Sequence, residues 1–226
     1  VDRSSVDRGG LSENGSVESA ENLKNTPENA GRAYHVAIDG SDENDGSPTS
    51  PFRTIQRGAT AAQPGDTVMV HAGVYRERVA PPRGGVLGRP IVYTAAPGEE
   101  VWVKGSAHWQ PDWRHVEGEV YAAIPEDSLF DDDAYLTDKN PFQVNLFNKR
   151  QILHPDYEGP CTLGQVFVDG EAYRERLDRQ TMLAYERSYW YDRESGEVYV
   201  HFAGSAPLDQ RLVELTVRRA IFRPHV

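Results

Sequence analysis

One cysteine in 226 residues, Cys161, leaves no partner for an intrachain disulfide and no second thiolate for a metal site. Beside Pro160 and without an evident partner His, it reads as a bystander thiol rather than a nucleophile. No run approaches the ~18 apolar residues that a membrane-spanning helix needs. The first residues also lack the charged-then-apolar layout of a signal peptide. Basic residues are scarce: 24 Lys and Arg stand against 35 Asp and Glu, a net charge of −11. A phosphate-binding surface needs clustered Lys and Arg, so nucleic acid is excluded as a partner, and anionic membrane surfaces are disfavoured on the same ground. Neutral ligands such as sugars stay open.

Turn residues are plentiful, with 20 Gly and 15 Pro between short runs of Val, Tyr and Phe. This composition favours strands over helices. Residues 1–32 are rich in Ser, Glu, Asn, Gly and Asp and hold almost nothing to bury, which predicts a disordered acidic tail. Order is expected from Ala33. The alternating run Tyr34–Ile38 reads as a strand, bounded by the loop Asp39–Pro51. That loop invites a calcium reading, but an EF-hand register would put Phe52 where the bidentate Glu belongs. Ordinary turn chemistry accounts for its Gly, Asp and Ser equally well.

Thr54 is placed to N-cap a short helix, Ile55–Ala62, with Ile55, Ala59 and Ala62 on one face, ended by Pro64-Gly65. Strands are then expected at Thr67–His71, Val74–Val79, Pro90–Thr94 and Glu100–Lys104, separated by Gly- and Pro-containing turns. Short strands at this spacing suit a β-solenoid, in which each coil stacks its strands in parallel on the coil before it. The order YHVA, GSD, PF-x-TI, PGDTV-x-V, GVYRE and RPI-x-Y-x-A-x-PGE-x-V-x-V-x-GS, from Tyr34 to Ser106, resembles the N-terminal start of right-handed parallel β-helix proteins. That start is shared by lyases, hydrolases and proteins without known activity, so it speaks for fold more than chemistry.

The second half departs from the simple coil. Gln165–Val168 followed by Asp169-Gly170 carries a hairpin signal, and Tyr189–Asp192 with Glu197–Phe202 reads as a second strand pair. These runs predict a small antiparallel β-sandwich over 107–212, with 213–226 returning to the solenoid. The sequence GQVFVDGEAYRE followed by WYDRESGEVYVHFAGSAPLDQ and VRR-x-IF-x-P resembles β-helix glycosidases of the β-xylosidase type, which carry such a sandwich. The expected fold class is therefore all-β: a parallel β-helix start with a cap helix and an inserted sandwich.

Glycoside hydrolysis normally uses two carboxylates, a proton donor and a nucleophile or base. The resemblance implies an Asp nucleophile and a Glu acid/base on later coils, and no position of this chain matches them. The chain is thus expected to be an N-terminal fragment without catalytic residues. The run Asp131–Asp133 reads as a solvated face. The resemblance also places a loop near the sugar site at Lys139–Leu153. There Asn140 is able to hydrogen-bond hydroxyls and Phe142 to stack on a sugar, while Asn148-Lys149-Arg150 departs from the family's pattern. Asn140, Phe142 and Arg150 are the candidate substrate-binding residues.

No metal and no cofactor is expected. His108 and His115 would face opposite sides of a continuous strand. Trp109 and Trp113 are expected in the core, and Arg218-Arg219 needs no ligand. A carbohydrate is the expected partner, with homo-oligomers through exposed β-edges as a second expectation. A polysaccharide lyase start and a non-catalytic carbohydrate-binding or structural module remain alternatives.

Overall fold

The computed structural model describes residues 31–130, 140–144, 162–218 and 220–224. The tail expected over 1–32 lies almost wholly outside them, as do Asp131–Asp133, Arg150, Cys161 and Arg219.

The first strand, β1 (Ala33–Val36), is followed by the 39–51 loop, whose carboxylates serve the backbone. Asp42 accepts from the Arg53 and Thr54 amides and from the Thr54 hydroxyl, and Asp45 accepts from Ser47 N. Helix α1 (Ile55–Ala61) then starts where expected. Thr54 Oγ1 accepts from Arg57 N, and Glu77 accepts from Ile55 N and Gln56 N. Together they satisfy amides that a helix start otherwise leaves unpaired.

Strands β2 (Thr67–Val70), β3 (Gly73–Tyr75), β4 (Val92–Ala95) and β5 (Val101–Val103) follow. β1, β2 and β4 form one parallel sheet, with Val68 beside Tyr34 and Tyr93; β3 and β5 form another, with Val74 beside Trp102. The segments 67–75 and 92–103 therefore trace the same path, one stacked on the other. Isolated parallel bridges join Val36 to Phe52 and Val79 to Phe222, with Val79 N donating to Ile221 O at 2.8 Å. Val36, Phe52, Ile55, Ala59, Val68, Val70, Tyr75 and Val79 bury one core inside this stack. α1 lies flat on it: a Cβ added at Gly58 would sit 2.8 Å from a Val68 methyl.

The next strands are β6 (Ser106–His108), β7 (Arg114–Glu117), β8 (Val120–Ala123), β9 (Val166–Val168), β10 (Glu171–Ala172) and β11 (Arg174–Glu175). A short helix α2 (Arg179–Leu183) precedes β12 (Ser188–Tyr191), β13 (Val198–His201) and β14 (Val213–Thr216). The order β10-β9-β14-β6 makes an antiparallel sheet; β11-β12-β13-β8-β7 makes a second, antiparallel except for β11 on β12. The two face each other across a core of Phe142, Val166, Val168, Tyr189, Tyr191, Val198, Val200, Phe202, Val213 and Leu215. Trp109 is buried there, edge-on to Trp113 with ring centroids 4.8 Å apart.

The Asp169-Gly170 turn has both residues at positive φ, 53° and 84°, the backbone of a tight hairpin whose twist matches its strands. The segment expected to return over 213–226 divides in two. Val213–Thr216 is an inner strand of the antiparallel sheet, because Val213 and Leu215 supply apolar surface to its core. Among the described residues the chain rejoins the parallel stack around Phe222.

Candidate functional site

Two of the three residues expected to hold a ligand are in the described part of the chain, and packing has claimed both. Asn140 caps a 3-10 turn at Pro141–Gln143, its Oδ1 accepting from Phe142 N at 2.9 Å. Phe142 is 0% exposed, with Tyr189 and Tyr191 at centroid distances of 6.1 and 5.8 Å. Gly164 presses so close that an added Cβ would sit 2.3 Å from the Phe142 ring. In this arrangement the ring has no open face, so stacking on a sugar would require the segment around it to move. The core beneath it is what its apolar area stabilises. Arg150 lies outside the described residues.

The described part of the chain gathers its charges elsewhere, where the parallel stack meets the antiparallel sheet. Alternation along β14 points Val213 and Leu215 into the core and Glu214 to the other face. That face is covered, leaving Glu214 1% exposed. Its carboxylate receives the Arg76 guanidinium, Lys104 Nζ at 3.1 Å and Ser106 Oγ at 3.3 Å. Arg76 follows β3, Lys104 follows β5, and Ser106 opens β6, so one carboxylate ties the two parts together. Burial alone would raise the Glu214 pKa. Hydrogen bonds and charge from Lys104 and Arg76 overcome this and hold it below the usual carboxylate value.

Above this clamp opens a cleft of about 430 Å³, lined by Val74, Trp102, Lys104, Ser106, Phe167, Gly170 and Glu214. Its walls are apolar, and Trp102 is 55% exposed. A larger cleft of about 720 Å³ runs past Arg76, Glu77, Arg78, Pro82, Phe130 and Arg218. Burial pushes the Glu77 carboxyl up, but both its oxygens are engaged by the first amides of α1, which makes its role structural.

A third cluster lies at the end of the first parallel sheet. His35 Nδ1 is 2.9 Å from His71 Nε2, and His71 Nδ1 is 3.0 Å from Glu99 Oε1. With His71 neutral and its Nδ1–H donating to Glu99, His71 Nε2 is free to accept from His35 Nδ1–H; protonation of His71 would remove that acceptor. Burial first, and the neighbouring His71 charge second, hold the His35 pKa below 6.5. Among the described residues no group of three or more His, Cys, Asp or Glu side chains has an arrangement that would hold a metal ion.

Sequence reasoning missed the clamp and the cleft. Glu214 follows the alternation of a half-buried strand and so reads as solvent-facing, and its partners Arg76 and Lys104 lie more than a hundred positions earlier. The exposed indole of Trp102 had a weak signal: it interrupts a valine pair, Val101 and Val103, on a short strand.

Residues 38–80 match a family model described as a protein of unknown function, DUF1565. An uncharacterized protein of Bacillus subtilis (strain 168), YwoF, is 33% identical over 84 residues, which are 37% of this chain and 18% of that protein. A solved complex of XylC with xylose superimposes with a TM-score of 0.70 and 31% identity, covering 85% of this chain and 32% of XylC. A solved glycoside hydrolase matches in fold, with a TM-score of 0.54 and 12% identity over 87% of this chain and 48% of that one. The chain thus spans about a third of XylC and less than a fifth of YwoF.

Proposed function

We propose that this chain is the N-terminal part of a carbohydrate-active protein of the β-xylosidase-like glycoside hydrolase kind, acting on xylo-oligosaccharides or related neutral glycans. In this reading the stacked segments 33–106 begin a right-handed parallel β-helix. The two facing sheets are a β-sandwich inserted before the chain resumes at Phe222. The catalytic carboxylate pair lies outside these residues. The observation that carries the reading is the likeness to XylC, which extends over 85% of the chain and so includes both the parallel and the antiparallel parts. The buried clamp of Glu214, Arg76 and Lys104 supports it further, since it holds the two parts in one arrangement.

The reading is tested by saturation-transfer NMR of the 226-residue chain with xylobiose, cellobiose and digalacturonate, alongside an aryl β-xyloside assay. Weak binding of neutral sugars without turnover is expected, because in this reading the proton donor and nucleophile that lower the barrier lie outside this chain. Preference for the uronide would favour the lyase alternative, and no response to any sugar would remove the carbohydrate reading altogether.

A further inference from the structure

We infer that the cleft between Trp102 and the outer face of β14 binds a neutral pyranose chain of the xylo-oligosaccharide class, with the Trp102 indole as stacking platform. This rests on the carbohydrate reading above and says where the sugar sits.

The indole is the first support. An aromatic of this size gains much from burial, yet Trp102 is left 55% exposed while Val101 and Val103 beside it pack towards the core. Its ring is held in place, since Nε1–H donates to Glu100 Oε1 at 2.9 Å. An indole fixed and uncovered on a strand is a ready apolar face.

The rest of the cleft complements it. Val74, beside Trp102 in the parallel pair, extends the apolar floor, and Phe167 of β9 forms the facing wall. Gly170 at the rim carries no side chain, and a Cβ added there would meet nothing within 4 Å, so the entrance is open. A pyranose has one C–H face and a rim of hydroxyls. Apolar walls with a few placed polar groups are what such a ligand needs, and about 430 Å³ is within the usual range for small-molecule sites.

The polar groups argue for a neutral sugar. Glu214 is already matched by Arg76, Lys104 and Ser106, so it does not call for a cation. Lys104 has three N–H donors and gives one to Glu214, which leaves donors for a hydroxyl. Glu100 offers an acceptor beside the indole. A uronate would meet Glu100 and a chain of net charge −11.

The test is a titration of the full 226-residue chain with xylotriose, followed by the indole Nε1–H resonances of its four tryptophans and by tryptophan fluorescence. The Trp102 resonance is expected to move first. Trp102→Ala should weaken binding about tenfold, as loss of one stacking face predicts, and Trp102→Tyr should keep most of it. Thermal melting of each variant checks that the fold is intact. If Trp102→Ala binds xylotriose as the parent does while the Trp109, Trp113 or Trp190 signal moves, the cleft is wrong and the carbohydrate reading survives. Tighter binding of trigalacturonate through Trp102 overturns the neutral-sugar class. Absence of any shift with all sugars removes the cleft together with the reading it rests on.

Discussion

Lys104 Nζ lies 3.1 Å from Glu214 Oε2, although 110 residues separate the two in the chain. The pair spans the junction between the parallel stack and the antiparallel sheet, with Arg76 on the carboxylate's other oxygen. Replacing Glu214 with Gln leaves two cations facing a neutral amide. Both cations keep some solvent access, so the cost should be about 2 kcal/mol, below that of a fully buried broken pair. Because the folded pKa is depressed, the clamp's contribution is complete above the ordinary value of 4.5 and lost as pH falls through the lower folded value. Urea midpoints of parent and Glu214→Gln should therefore converge in acid. A gap that stays constant from pH 7 down to pH 3 would refute the ionic account.

His35 gives a second, higher pH window. Its folded pKa is held below 6.5 by burial and then by His71, so the stability it contributes is present above 6.5 and is lost as pH falls through the folded value. Glu99 and His71 face it along the bond chain, and the Tyr75 hydroxyl donates to the His71 carbonyl. The melting temperature should fall between pH 7 and pH 5, and His35→Gln should flatten that fall. Proton NMR titration of the His35 ring checks the premise: a midpoint at or above 6.5 would contradict it.

Phe142 is expected to behave as a core residue. Phe142→Ala should cost about 3–5 kcal/mol. Gly164→Ala should cost about 1–3 kcal/mol, because the new methyl meets the Phe142 ring with nowhere to go. Chemical denaturation measures both. A Phe142→Ala protein as stable as the parent but impaired in sugar binding would support the ligand role instead.

We propose that the outer edge of the parallel stack mediates self-association. β4 and β5 are the last strands of their sheets among the described residues, and Val92, Ile221 and Phe222 are exposed near by. Unpaired strand edges with apolar neighbours template association unless charge blunts them. Sedimentation equilibrium should show mass rising with protein concentration, and Val92→Lys should suppress it. A monomer at every concentration with the edge unmodified would end this proposal.

Much of the local structure follows from short-range chemistry. Thr54 as a cap, the Asp169-Gly170 turn and the Val68/Val70 alternation are properties of a few neighbouring residues, so they are legible in the chain itself. The parallel pairing of successive short strands was legible from their spacing and intervening turns. The edge of the antiparallel part was less so, since Val213–Thr216 carries the same alternation whether it ends one sheet or joins another.

What only tertiary structure decided is which surfaces are covered. Alternation tells that Glu214 faces away from Val213 and Leu215, but not that Arg76 and Lys104 wait on that side. An aromatic in a turn is equally suited to solvent and to core until Gly164 and Tyr189 close over it, as they do over Phe142, while Trp102 on a regular strand stays open. Sequence thus determined the strands, caps and turns, because those depend on backbone geometry within a few residues. Burial and charge pairing depend on contacts between residues far apart in the chain, and those exist only once the two parts have folded against each other.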